Sequence, residues 1–226
     1  MRVNGNYAWT QYATKTPPHV RQKTNKGFFY FVLEMPDDFP NQPPKARIIT
    51  TDGGRCRFNP NLYADGKVCL SILGTWSGPG WSPALSLSSV LLSIQSLMND
   101  RPYCNEPGFE EPRNKRDVDF YNEIIAHETI RVAFCDQLED TLTSRGLPAA
   151  MQLLVKDVGP SYFEQHEDTC LKHMAKDGTD MLDPHGGMSR GRFQWKRLLE
   201  RLHALKAKLG EGAAASPMAD DAERDD

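Results

Sequence analysis

Four prolines in the stretch PDDFPNQPPK, Pro36, Pro40, Pro43 and Pro44, limit what this chain can fold into more than any other segment. Each ring fixes φ and removes a backbone donor, so the segment cannot lie inside a sheet and has to form a stiff surface turn. Before it, residues 28–35 (FFYFVLEM) are rich in aromatic and branched side chains and read as a strand. After it, residues 46–51 resume as a second strand. Two short strands joined by a rigid turn predict an antiparallel meander whose faces need covering by helices, an α+β fold.

From Ser82 the hydrophobic period changes. Leu87, Val90, Leu91, Ile94, Leu97 and Met98 fall on one helical face, with Ser82 as the expected cap and Pro83 in the first turn. Residues 100–112 (DRPYCNEPGFEEP) break that helix, and a second periodic stretch follows over about 115–143, carrying Phe120, Ile124, Ile125, Val132 and Cys135. Two more helices are predicted over 161–176 and 193–209, joined by a glycine-rich loop, DGTDMLDPHGGMSRG. Residues 1–27, basic around Pro17 and Pro18, show neither period and read as a loop or an incomplete start, while the alanine- and acid-rich tail from 211 to 226 lacks the apolar content to fold.

The length of 226 residues, with 39% hydrophobic and 25% charged content, suits one globular domain with extensions. A net charge of −3 and a pI near 6.1 do not supply the basic face that nucleic acid or an anionic membrane would require, so proteins are the expected partners. Five cysteines, at positions 56, 69, 104, 135 and 170, include no CxxC pair. This argues against a disulfide framework and a zinc ribbon, and implies a reducing, intracellular compartment. Cys170 and His173 form half of a metal-ligand pair without a second half, so no metal is expected.

Chemistry concentrates in RFNPNLYADGKVCLSIL, where an Asn-Pro-Asn corner, Asn59 to Asn61, precedes Cys69, and in the tryptophan loop GTWSGPGWSP that follows. Cys69 lies between Val68 and Leu70, which on spacing alone reads as a buried strand cysteine. A nucleophilic role requires it to be exposed at the strand's end with some thiolate character, which Lys67 would assist slightly. Asn61 either holds a turn or donates to an oxyanion that develops at a thioester carbonyl. Tyr103, Asn105 and Glu106 are either loop residues or the flank of an incoming lysine.

These residues carry a resemblance. The proline turn, the Asn-Pro-Asn corner ahead of Cys69, CLSIL, Trp-Ser-Pro-Ala leading into a helix, NEPGFE, HETIRVAFCD, and the region from MLDPHG to GRFQWKRLL together resemble ubiquitin-conjugating enzymes. The likeness is to the large Z-type members, since Asn59 stands where His is usual and the tryptophan loop is long. The resemblance implies a conjugating core over 28–145, a helical extension over 146–210 and a divergent or truncated start over 1–27. It also implies that Cys69 accepts ubiquitin or a ubiquitin-like modifier as a thioester, with Asn61 supporting the loop or the oxyanion and Glu106, beside Asn105, at the lysine gate. Implied partners are the modifier, an activating enzyme and ubiquitin ligases, with ATP used upstream and no cofactor on this chain, in the cytoplasm and nucleus. A scaffold of the same fold that is never charged is the alternative.

Overall fold

The computed structural model describes residues 2–4, 7–12, 26–112, 114–143 and 147–214. Strand β3 (Phe29–Glu34) forms where the aromatic run predicts it, and β4 (Lys45–Ile48) follows the proline turn. Phe31 pairs with Ile48 and Glu34 with Lys45 in antiparallel register. Phe29, Phe31 and Leu33 pack on the side of helix α1 (Leu87–Leu97), whereas Phe28 and Tyr30 belong to the opposite cluster. Alternation with period two thus places both faces of β3 in apolar surroundings.

The loop reading is corrected at residues 2–4 and 7–12. Strands β1 (Arg2–Asn4) and β2 (Tyr7–Tyr12) extend the sheet to the order β1-β2-β3-β4, and Tyr12 pairs with Phe29 across a six-residue register. The free edge of β3 supplies partners that local periodicity does not announce. Residues 13–25 lie outside the described residues.

Helix α1 starts at Leu87, not Ser82. Ser82 instead closes a turn, its carbonyl accepting from Leu85 N at 2.8 Å, and Ser86 caps the helix in a reciprocal pair with Ser89. The second periodic stretch is one long helical run: α2 (Lys115–Glu128), a π-helical segment (Thr129–Asp136) and α3 (Gln137–Leu142). Backbone crosses this run closely at Gly27, where an added Cβ would stand 2.8 Å from that of Ala133.

Helix α4 (Ala149–Val158), absent from the sequence reading, precedes α5 (Phe163–His173). The glycine-rich segment, expected as a loop, is instead a hairpin, β5 (Asp180–Leu182) with β6 (Ser189–Arg192), which leads to α6 (Trp195–Ala214). Helix α6 runs four residues past Gly210, and residues 215–226 lie outside the described residues. The extension is no appendage, because Trp195, Leu198, Leu202 and Leu205 share one buried cluster with Phe28, Tyr30, Ile124 and Phe134. No helix among the described residues is long and apolar enough to cross a membrane.

Candidate active site

The reactive stretch hangs on the outer edge of β4. Ile48 N donates to Gly66 O at 3.0 Å, Lys67 bridges Arg47, and Val68 bridges Leu62. Gly66 has φ of 95°, and a Cβ there would meet Ile48 O at 3.0 Å, so the turn needs glycine on both counts.

Asn59 builds the corner. Its Oδ1 accepts from Asn61 N at 2.8 Å, a side-chain turn of the kind short amides favour, and its Nδ2 donates to Leu97 O at 2.8 Å. The corner is thereby fastened to the carboxy-terminal end of α1. Asn61 then grips the cysteine segment from both sides of its own residue: Asn61 O accepts from Cys69 N at 2.8 Å, and Asn61 Nδ2 donates to Cys69 O at 3.1 Å. Both backbone groups of Cys69 therefore end on one asparagine, which holds its main chain in place.

Thr75 closes the far side. Its hydroxyl donates to Val68 O at 2.7 Å and accepts from Leu70 N at 3.0 Å, straddling Cys69. Cys69 consequently is only 1% exposed, although it belongs to none of the three apolar clusters. The expectation of an exposed thiol at the strand's end is not met, since the Asn-Pro-Asn corner and the start of the tryptophan loop enclose the segment between them. Burial raises the Cys69 thiol pKa, with Lys67 and then Arg57 pulling it back down and Asp65 opposing them, for a net rise.

Arg57, which the sequence reading passed over, organises the neighbourhood. Its Nε donates to Asn59 O at 3.3 Å, its Nη2 donates to Pro60 O and lies 3.4 Å from Glu106 Oε2, and its guanidinium stacks 4.3 Å from the Tyr63 ring centre. Glu106 follows the 3-10 turn Pro102–Asn105 and is half-exposed, facing Arg57. Asn105 is committed elsewhere. Its Nδ2 donates to Leu97 O at 3.3 Å and its Oδ1 accepts from Asn99 at 3.1 Å, so it braces the end of α1.

In the tryptophan loop, Trp81 Nε1 donates to Pro40 O at 2.7 Å and its ring packs near Phe39, while Trp76 stands exposed. The polar groups that the hairpin β5–β6 brings to Arg57 and Tyr103 carry no sequence signal, because they meet across separations of 133 and 82 residues.

An asparagine corner is thus clamped to a cysteine at the edge of a four-stranded meander, with helices behind. The family model for ubiquitin-conjugating enzymes matches residues 9–123, and the chain belongs to that family. The match reaches back to residue 9, ahead of the start expected at Phe28.

Among relatives, the chain is 49% identical over 185 residues to ubiquitin-conjugating enzyme E2 Z of Danio rerio, covering 82% of this chain and 55% of that one. It is 48% identical over 185 residues to ubiquitin-conjugating enzyme E2 Z of Homo sapiens, covering 82% of this chain and 51% of that one. The chain thus spans about half the length of the curated relatives it matches. A solved ubiquitin-conjugating enzyme domain from Toxoplasma gondii aligns with a TM-score of 0.43 at 24% identity, covering 59% of this chain and 86% of that one.

Proposed function

We propose that this chain carries ubiquitin or a ubiquitin-like modifier as a thioester on Cys69 and passes it to a lysine or to a ligase. The observation that supports this most is the double clamp of Cys69 by Asn61, which fixes a thiol beside an amide donor. In the first step the Cys69 thiolate attacks the modifier's carbonyl, a new S–C bond forms, and the activating enzyme's thiolate leaves. A neutral lysine amine then attacks that carbonyl, and the tetrahedral oxyanion collapses to an amide with Cys69 thiolate as the leaving group.

Each residue has a part in this scheme. Asn61 carries two N–H donors, one committed to Cys69 O and the second able to meet the oxyanion. Free lysine titrates near 10.4, so Glu106 orients the ammonium and helps remove its proton. Lys67 and Arg57 favour the thiolate against the cost of burial. Partners on this reading are the modifier, an activating enzyme that uses ATP upstream, and ligases, with no cofactor bound here. Five free cysteines support a reducing cytoplasmic or nuclear setting.

One observation favours the second reading, an uncharged scaffold: the Cys69 side chain is shielded from solvent. Incubation with ubiquitin, ATP and an activating enzyme, followed by a non-reducing gel, separates the two. Conjugation predicts a band shifted by one ubiquitin, removed by thiol and absent from Cys69→Ala. A folded wild type that never shifts supports the scaffold.

A further inference from the structure

One buried carboxylate in the extension ties two arms to the catalytic edge. Asp183, 5% exposed at the end of β5, accepts from His185 N at 3.0 Å, lies 3.1 Å from His185 Nδ1, and accepts from Arg190 Nε at 2.9 Å. Arg190 then reaches out of the hairpin, its Nη1 donating to Arg57 O at 2.7 Å, while its guanidinium lies 5.2 Å from the Tyr121 ring centre. His185 reaches out in the other direction. Its Nε2 stands 3.0 Å from Tyr103 O, and its ring stacks on Tyr103 at 4.4 Å with Phe109 and Tyr121 at its edges.

The two carbonyls so held belong to the two sides of one ion pair. Arg57 is a member of it, and Tyr103 O also accepts from the backbone N–H of Glu106, the other member, at 3.4 Å. Buried ion pairs are weak contributors to stability when weighed against apolar packing of the same volume, so a charged cluster here is better explained by what it positions. Displacing groups by about 1 Å at a reacting centre slows chemistry up to about a hundredfold. A hairpin that grips both flanks can hold that tolerance.

We infer that Asp183, His185 and Arg190 are positioning residues, through which the β5–β6 hairpin sets the Arg57–Glu106 pair for transfer of the modifier from Cys69 to an amine. This rests on the thioester reading above. The hairpin is then part of the transfer machinery, and lysine reactivity is tuned from the extension.

The test uses the full chain charged with ubiquitin, with ATP then removed and decay of the preformed thioester followed against free lysine over a range of concentrations. The limiting rate for Arg190→Lys should fall about tenfold, a partial misplacement, with the half-saturating lysine concentration little changed. Combined with Glu106→Gln, it should be no slower than Glu106→Gln alone, because both act through one pair. His185→Ala, which leaves the Asp183–Arg190 pair intact, should behave likewise and serves if Arg190→Lys does not fold.

A wild-type limiting rate in both variants overturns the inference. So does slowing that multiplies with that of Glu106→Gln, since a general loss of structure would combine in that way. A wild type that never forms the thioester overturns the proposed function itself, and this inference with it.

Discussion

Asn61 Nδ2 is the donor that Cys69 O depends on, and Asn61→Ala takes it away while leaving the corner's other bonds in place. A buried carbonyl left short of a partner costs about 1–3 kcal/mol, which urea denaturation will read as a lower midpoint at constant slope. His166 offers a pH test. Burial holds its pKa down at about 4, against 6.5 for a free side chain, outweighing the hydrogen bond in which Nε2 donates to Lys26 O at 2.7 Å, with the Lys26 charge adding slightly to the depression. As pH falls from about 6.5 to about 4, the unfolded chain takes up a proton that the folded chain refuses. Stability drops by roughly 3 kcal/mol across that window and levels off below it. His166→Gln keeps a donor for Lys26 O, so its melts should lose this slope. The spacing of Asn61 and Cys69 was legible from the sequence because it is local. Arg57 and Glu106, 49 residues apart, were not paired there because no period links them.

Elements were legible where period and length agreed. The face of α1 is legible in the period, with Val90, Ile94 and Leu97 buried, but its start is not, because Ser82 and Ser86, four residues apart, are both good caps on type alone. Only Ser86 exchanges bonds with a residue three positions on. Ser86→Ala should therefore cost about 1 kcal/mol in thermal melts, and Ser82→Ala clearly less. The hairpin β5–β6 has no signature in the sequence for another reason. Its strands have three and four residues, too few to show alternation, and its turn contributes the glycines that suggested a loop. Strands β1 and β2 follow the register of β3, a preference set by the partner and not by their own residues.

At the scale of the whole molecule, the conjugating core and the extension are joined by a common apolar cluster and by polar pegs. Gln194 N donates to His127 Nε2 at 3.0 Å, so the ring's Nδ1 donates to Glu128 Oε1 at 2.9 Å. Burial acts to raise the Glu128 pKa, but bonds from His127 and Arg131 outweigh it and bring it to about 2. Leu202, on α6, is fully buried and belongs to that cluster. Leu202→Ala should cost about 2–5 kcal/mol, and calorimetry should show core and extension melting together in one transition. The sequence exposed the helices of the extension one by one. Their closure onto Phe28, Tyr30 and Phe134 was hidden, because a hydrophobic face does not name its partner.

The proposed function places the modifier on Cys69, although Cys104 alone of the five cysteines is not buried. The most direct measurement charges the wild-type chain with ubiquitin, digests it under acidic, non-reducing conditions and maps the adduct by mass spectrometry. A ubiquitin remnant on the peptide containing Cys69, released by thiol and absent from Cys104, is the predicted result. An adduct on Cys104, or a folded chain that acquires none, would contradict it.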